Sequence, residues 1–334
     1  MSAARSRPRR PATGAKRVSA GGRRATVSAR VRAAAARDGR RVAPAGSAPT
    51  PNAPVPESVL LAVSDGVATI TLDRPGKLNA LAGDMRERLA EALDRVAADR
   101  GARVLAITGA GEGFCAGGDV KHMVELQSRG AGFEELVPLL EAGRAVVTRL
   151  AALEIPVLAA VNGVAAGAGL NLALACDVRL ASSAARFGAS FVRIGLHPDW
   201  GGTFHLPRRV GLAAALDLCW TGEPIGAEEA LRLGLVQRVF PAKEFGRRWR
   251  AYAAALAAAP ATSVRAIKRS MRASASRTLE QCLAAESAAQ AACWASPDAA
   301  EGLAAFAEKR PPRFGAAAPA GDAVAPSPAA RRFE

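Results

Sequence analysis

The chain has 334 residues, with 45 Lys and Arg against 30 Asp and Glu, and half of its residues are hydrophobic. That is enough for one large globular domain or two ordinary ones, each with a buried core. Collagen-like, fibrous and wholly disordered classes are therefore excluded, and the sequence has no unbroken run of roughly 18 apolar, uncharged residues, which a membrane-spanning helix needs.

The positive charge is concentrated at the N-terminus. Residues 1–56 contain thirteen Lys or Arg and a single acid, Asp38, for a net charge of +12, which leaves +3 for everything that follows. This segment has no aromatic residue and no apolar periodicity, so we predict a disordered basic extension, and a disordered Ala/Pro-rich tail over 316–334.

Three roles compete for this basic extension: an organellar presequence, a nucleic-acid-binding arm, or a leader with no role, which we favour. The protein is accordingly expected in the cytoplasm, or in the mitochondrial matrix if the extension is a presequence. The five cysteines are odd in number, widely spaced and without a C-x-x-C pair. They indicate a reducing compartment with free thiols, and neither a disulfide framework nor a metal site is expected.

Apolar patterns begin after residue 57. Two short apolar runs, 59–63 and 67–72, flank Ser-Asp-Gly and predict a hairpin. Helical spacing follows at Met85, Leu89, Leu93 and Val96. Buried strands are predicted at 103–108 and 157–161, with a helix at 132–151 between them. Later helices are predicted at 200–209, 212–219, 226–232, 241–258, 261–274, 278–295 and 297–309.

This order of elements predicts an α/β core over residues 57–255 and a helical region over 256–315. Two glycine-rich turns follow the buried strands, GEGFCAGGD at 111–119 and VNGVAAGAG at 161–169. Such turns expose backbone N–H groups that can bind an anion. A dinucleotide fingerprint fails because its third position is Leu172, and a phosphate loop would need G-K-[ST]. Two tight packing turns remain an alternative.

Longer sequence motifs indicate a protein family more specifically than the two turns do. FCAGGD, AAVNGVAAGAGLNLALACD and ARFGASFVRIGLHPDWGGTFHLPRRVG, with DRPGKLNAL before them and AAFAEKRPPRF after, together resemble the enoyl-CoA hydratase/isomerase (crotonase) superfamily over residues 59–314. The resemblance implies a spiral of ββα repeats and C-terminal helices that assemble trimers or hexamers. It also implies an acyl-CoA thioester substrate, with coenzyme A as part of the substrate and no separate cofactor.

By position, the resemblance assigns an oxyanion hole to the amides of Gly118 and Ala168. Two such donors would stabilise the negative charge that develops on a thioester oxygen when a nearby proton is removed. Since the family usually has Gly at the position of Ala168, strain would follow if φ is positive there. The same match places Ala116, Gly117, Asp119 and Lys121 along the CoA moiety, with Lys77 and Lys309 near its phosphates.

The acid and base depart from the hydratase pattern. Hydratases of the family carry glutamates at the positions of Asn171 and Phe191, and neither Asn nor Phe can take a proton from water. Asp199, in LHPDWGG, stands where isomerases of the family carry a catalytic aspartate. The alternative is that Asp199 only caps a helix beginning near Trp200. His197 and Trp200 are expected to line the pocket with Asn171 and Phe191.

The sequence therefore predicts an acyl-CoA isomerase that acts through a thioester enolate. Its motifs are most similar to the branch that contains the 1,2-epoxyphenylacetyl-CoA isomerases of phenylacetate degradation and the Δ3,Δ2-enoyl-CoA isomerases of fatty acid metabolism. One alternative is a hydratase whose acid and base come from elsewhere in the pocket. Another is a non-catalytic oligomer with a nucleic-acid-binding arm, which is disfavoured because the arm has no aromatic residue to stack on bases.

Overall fold

The computed structural model describes residues 58–315, and the predictions for residues 1–56 and 316–334 lie outside them. The strands are β1 (Val59–Ser64), β2 (Val67–Leu72), β3 (Val104–Gly109), β4 (Gly113–Cys115), β5 (Val157–Val161), β6 (Val164–Ala166), β7 (Val178–Ser182), β8 (Arg186–Gly188), β9 (Ile225–Gly226) and β10 (Arg238–Phe240).

The helices are α1 (Met85–Ala98), α2 (Val120–Ser128), α3 (Val137–Ala152), α4 (Ala168–Ala175), α5 (Gly202–Val210), α6 (Leu212–Thr221), α7 (Ala227–Arg232), α8 (Phe245–Ala257), α9 (Ala261–Ser274), α10 (Leu279–Trp294) and α11 (Pro297–Ala307). No helix among residues 58–315 is both long enough and apolar enough to cross a bilayer.

The predicted hairpin is confirmed. Strands β1 and β2 pair antiparallel, with Ser64 opposite Val67. The two turn residues, Asp65 and Gly66, have φ angles of 51° and 76°. A two-residue turn with both residues left-handed matches the right-handed twist of the strands, and Asp followed by Gly is a favoured pair for it.

The main sheet has six strands in the order β1-β2-β3-β5-β7-β10, and every pair after the hairpin is parallel. Successive side chains point to opposite faces. Val104 and Ala106 of β3 pack with Phe245 and Trp249 of α8. Leu105 and Ile107 belong to the larger core on the other face, which also contains apolar residues of α1 and α3. The central strands β3 and β5 are therefore buried on both faces of the sheet.

A second sheet holds the short strands in the order β4-β6-β8-β9. Each long strand β3, β5 and β7 is followed along the chain by β4, β6 or β8, and β4-β6-β8 pair in parallel. Helices α2 and α4 follow the first two of these pairs. This is the predicted spiral of ββα repeats. The short strands were not predicted, because three-residue strands are defined by their pairing partners more than by their own composition.

The C-terminal part is helical, as predicted, and two of its helices begin at capping residues that lie next to them in the sequence. Ser296 caps α11 by accepting a hydrogen bond from the amide of Ala299, and Thr278 forms a capping box with Gln281 at α10.

Helix α8 begins at Phe245, four residues later than predicted, because residues 241–244 form a turn after β10. The helix runs through residue 256, so the predicted boundary between the core and the helical region falls within it.

Candidate active site

The two glycine-rich turns lie side by side. Strands β4 and β6 are parallel neighbours, so the turns that leave their carboxyl ends emerge at the same edge of the second sheet. A Cβ placed on Gly117 would lie 2.7 Å from the carbonyl oxygen of Ala166 and 3.3 Å from the amide nitrogen of Ala168. The turn after β4 therefore contacts the turn that starts α4.

Two glycines in these turns are required by the backbone. Gly117 has a φ of 93°, in the region that side chains disfavour, and a Cβ on Gly169 would collide with the carbonyl oxygen of Cys115. Because Gly169 lies in the first turn of α4, this close approach fixes the start of that helix against β4. The amides of the two turns are thus held by backbone contacts.

The segment around Leu81 orients the first glycine-rich turn. The amide of Leu81 donates to the carbonyl of Gly117 at 2.7 Å, and the amide of Asp119 donates to the carbonyl of Leu81 at 3.3 Å. The intervening Gly118 consequently turns its own N–H away from Leu81. Among residues 58–315, that N–H has no hydrogen-bond acceptor. It is available to a ligand.

Buried Asn79 explains why DRPGKLNAL belongs to this site. Its Nδ2 donates to the carbonyls of Ala110 and Gly113, at 3.0 and 2.8 Å, and its Oδ1 accepts from the amide of Arg74 at 2.7 Å. One side chain therefore ties this loop to the segment that enters β4. Leu81, two residues further on, is placed against Gly118 as a result.

The amide of Ala168 is the second free donor. It is the first residue of α4, so its N–H has no partner within the helix, and none is present elsewhere in the described chain. The positive φ of this turn, 52°, falls on Gly167 and not on Ala168. The alanine is accommodated without the strain considered from the sequence, and the helix dipole favours negative charge in front of it.

Asp199 lies on a separate loop that enters α5. Trp200 and Gly201 both have left-handed φ angles, 47° and 74°, and the helix starts only at Gly202 with no side-chain cap. The capping role considered for Asp199 is therefore not observed. Its side chain is partly buried, and Oδ1 is a buried atom without a hydrogen-bond partner in residues 58–315.

The surroundings of this carboxyl group favour its neutral form. Burial raises the pKa of Asp199, because the charged form loses hydration. Its own backbone N–H and the charges of Arg86 and His197 act in the opposite direction and offset part of the rise. A carboxyl group with a raised pKa and an unoccupied oxygen is suited to accept a proton and return it.

Asn171 connects the second turn with this loop. It lies on α4, is 3% exposed, and its Nδ2 donates to the carbonyl oxygen of Asp199 at 2.8 Å. The amide of Gly202 donates to the same oxygen at 2.8 Å, and a Cβ on Gly202 would collide with Asn171. Asn171, which the sequence resemblance places at the position of a hydratase glutamate, therefore holds the backbone of Asp199.

The other expected pocket residues lie in different environments. Phe191 is 8% exposed, and its ring comes within 3.8 Å of the position that a Cβ on Gly167 would take, so it packs over the second turn. Trp200 is 5% exposed, and its indole occupies the space in front of Gly143 on α3. His197 is exposed, although its charge acts on Asp199.

The small residues expected along CoA lie at the first glycine-rich turn. The lysines expected near CoA lie on the surface. Gly117 is buried and Ala116 is half-buried, whereas Lys77, Lys121 and Lys309 are exposed. Asp119 caps α2 by accepting from the amide of Lys121 at 3.1 Å, and it pairs with Arg74 at 3.1 Å. Burial raises the pKa of Asp119, but these hydrogen bonds and the Arg74 charge outweigh it and lower the pKa overall.

A cavity of about 180 Å³ lies beside the first turn. Leu81, Ala82, Gly83, Arg86, Asp119, His122, Met123 and Leu139 line it. It is bounded by the segment that orients Gly118 and by the start of α2, and most of its wall is apolar. The cavity therefore lies beside the segment that contains Gly118 and offers room for a small organic group.

Arg86 is the functional candidate that the sequence analysis missed. It is 6% exposed, and its Nη2 lies 3.8 Å from the position that a Cβ on Gly118 would take. A signal was present, because Arg86 precedes Leu89 by three residues and Leu93 by seven, which places it on the buried face of α1. A charged residue on the buried face of an amphipathic helix is the sequence signal for this candidate.

Comparison with known proteins shows which family the sequence is similar to. The sequence profile of the family Enoyl-CoA hydratase/isomerase matches residues 62–317. A Rhodobacter capsulatus protein named "Probable enoyl-CoA hydratase" is 45% identical over 254 residues, 75% of this chain and 95% of that protein. The 1,2-epoxyphenylacetyl-CoA isomerase of Escherichia coli is 38% identical over 258 residues, 77% of this chain and 98% of that enzyme.

The fold agrees with solved structures. The crystal structure of an enoyl-CoA hydratase from Bacillus anthracis matches with a TM-score of 0.72 and 32% identity, covering 77% of this chain and 99% of that one. The chain belongs to the enoyl-CoA hydratase/isomerase family and has the crotonase fold. It is an acyl-CoA-processing enzyme of that family.

Proposed function

We propose that the protein is an acyl-CoA isomerase that shifts a double bond, or rearranges a strained ring, through a thioester enolate. The amides of Gly118 and Ala168 would bind the thioester oxygen, and Asp199 would move the proton. CoA would enter as part of the substrate, with Ala116, Gly117 and Asp119 along it and Lys77, Lys121 and Lys309 near its phosphates. No prosthetic group is needed for this chemistry.

A single carboxylate is sufficient for both proton transfers of the isomerisation. For a 3-enoyl thioester, Asp199 takes a proton from C2, and the C–H electron pair moves into the thioester to give the enolate. The two amides stabilise the oxygen as it becomes negative, and one such donor typically contributes about 2.7–4 kcal/mol. The electron pair then returns, Asp199 gives its proton to C4, and the double bond lies between C2 and C3. Water takes no part.

The observation that carries the proposal is the buried, unpartnered Oδ1 of Asp199. A carboxylate oxygen in such a place is costly unless a ligand uses it. Asn171, which replaces a hydratase glutamate, is already engaged with the backbone of Asp199. Phe191 has no group that exchanges protons. Of these three positions, only that of Asp199 has a carboxylate for the acid/base chemistry.

The test compares wild type with Asp199→Asn on 3-enoyl, 2-enoyl and arylacetyl CoA thioesters. An amide keeps the shape of the side chain but cannot accept the proton. We expect isomerisation to fall at least about a hundredfold, while binding of a saturated thioester changes little. The matched control is Asp217→Asn, which changes an exposed aspartate on α6 and should leave the rate unchanged. Equal rates for both variants would exclude Asp199 as the acid/base.

Hydration of 2-enoyl thioesters is the second candidate, because most of the named relatives are hydratases. The same assay separates the two reactions. Hydration abolishes the absorbance of the enoyl thioester, whereas a 3-to-2 shift creates it. Loss of absorbance on the 2-enoyl substrate, with none gained on the 3-enoyl substrate, would favour the hydratase.

We also propose that the chain assembles as a trimer or hexamer through its C-terminal helices. Helix α10 buries no residue within the described chain. Large apolar side chains are exposed on α9, α10 and α11, namely Ile267, Met271, Leu279, Leu283, Trp294, Leu303 and Phe306. Exposed apolar surface of this extent is typical of an interface. Light scattering of the purified protein gives the mass, and a monomer would refute the proposal.

A further inference from the structure

Arg86 is the residue of the site with no role in the proposed proton transfer. It lines the cavity beside the first turn, and its Nε is a buried atom with no hydrogen-bond partner. Within residues 58–315, the only other buried side-chain polar atom without a partner is Oδ1 of Asp199. Both unpartnered atoms belong to the candidate site, which argues against a packing accident.

Nearby carboxylates do not supply the missing acceptor. Asp119 lines the same cavity but is paired with Arg74 at 3.1 Å and accepts from the amide of Lys121. No carboxylate in the described chain lies within ion-pair distance of Arg86. Burial lowers the pKa of Arg86, and the charges of Glu87, Asp199 and Asp119 oppose that change from further away. The guanidinium group of Arg86 therefore has no carboxylate oxygen of the described chain close enough to pair with it.

The position of Arg86 indicates where that oxygen would be. Its Nη2 is next to Gly118, whose amide would hold the thioester, so the guanidinium is within reach of the acyl chain. The remaining wall is provided mainly by Leu81, Ala82, Met123 and Leu139. A hydrocarbon in this cavity would leave a buried donor unsatisfied, whereas an oxygen would pair with it.

We propose that Arg86 donates a hydrogen bond to an oxygen atom carried by the acyl group itself, so that the enzyme prefers oxygenated acyl-CoA thioesters to plain hydrocarbon ones. The inference rests on the proposed function only in taking the ligand to be an acyl-CoA thioester. The acceptor is a carbonyl, hydroxyl or carboxylate oxygen, since each offers the same lone pairs to the guanidinium.

The test measures binding, by calorimetry, of three saturated five-carbon thioesters that undergo no double-bond shift: pentanoyl-CoA, 4-oxopentanoyl-CoA and glutaryl-CoA. Wild type should bind at least one oxygenated ligand about tenfold or more tightly than pentanoyl-CoA. Arg86→Met should bind all three within about twofold of one another. Preference for the oxo or the carboxylate ligand distinguishes an uncharged acceptor from an anion.

The control is Arg95→Met, which removes an exposed arginine from the same helix and should retain the wild-type preference. Thermal unfolding separates a binding role from a structural one. Replacing a buried, unpartnered cation by an apolar side chain of similar length should leave the midpoint unchanged or raise it. A large loss of stability in Arg86→Met, with the wild-type ligand preference retained by the variant, would overturn the proposal.

Failure of this inference is distinguishable from failure of the proposed function. If wild type binds all three thioesters equally well, the role of Arg86 is refuted and the isomerase proposal stands. If wild type binds none of them, the acyl-CoA site itself is refuted. Asp199→Asn should retain the full ligand preference, because no proton transfer occurs in these complexes.

Discussion

The two halves of the candidate site are built differently. The half that would bind the thioester oxygen consists of backbone amides, at Gly118 and Ala168, fixed by close approaches that only glycine permits. The half that would move the proton consists of side chains, Asp199 and its neighbours, held by a few hydrogen bonds. Donors set by the backbone tolerate a change such as Ala168, since any residue other than proline supplies an N–H.

This difference explains how one fold can host several reactions. The backbone half would stabilise an enolate whatever the acyl group, because it would contact an atom that every thioester has. The side-chain half would decide which proton moves and which acyl group fits. Here it contains Asn171 and Phe191, at the positions where the sequence resemblance expects two glutamates in hydratases, and Arg86 in the cavity wall. Substitutions in the two halves should therefore have different consequences.

The largest expected effect would break the backbone half. In Gly169→Ala the new Cβ collides with the carbonyl oxygen of Cys115, so β4 and α4 must separate. We expect a loss of about 3 kcal/mol in the free energy of unfolding, measured in urea, and loss of activity on every substrate. Gly76→Ala, where no neighbour lies within 4 Å, should change stability by less than about 0.5 kcal/mol. Equal effects at the two positions would contradict this account.

An intermediate effect is expected where the halves are joined. Asn171→Ala removes the donor to the carbonyl of Asp199, which keeps its bond from Gly202. We expect a loss of about 1 kcal/mol in stability and a fall of about tenfold in kcat with little change in KM. If Asn171 acts through Asp199, the kcat losses in the double variant with Asp199→Asn should not multiply. Fully multiplicative losses would refute the connection.

The smallest effect concerns the side-chain half alone and depends on pH. Burial raises the pKa of Asp199 above its ordinary value of 3.8. A carboxyl group with a raised folded-state pKa favours folding when protonated, so its contribution is lost as pH rises through that pKa. Asp199→Asn should match wild type in stability near pH 3 and become relatively more stable at neutral pH. The check is urea unfolding at several pH values, and a difference independent of pH would contradict it.

Much of the fold was predictable because local signals decided it. The Asp65–Gly66 turn, the caps at Ser296 and Thr278, and the apolar stripe of α1 are each defined within a few residues. The short strands β4, β6 and β8 were not predictable in this way. Three residues carry too weak a preference, and their pairing depends on partners tens of residues away.

The sequence by itself determined the family, through its long motifs. It also determined the long strands and the two turns, because strong apolar runs and glycines at backbone close approaches act locally. Only the tertiary structure decided that Asp199 does not cap α5, that Asn171 holds its backbone, and that Arg86 faces a cavity. These three facts depend on which side chains from distant segments share a buried space. Desolvation and hydrogen bonding in that space are properties of the folded chain.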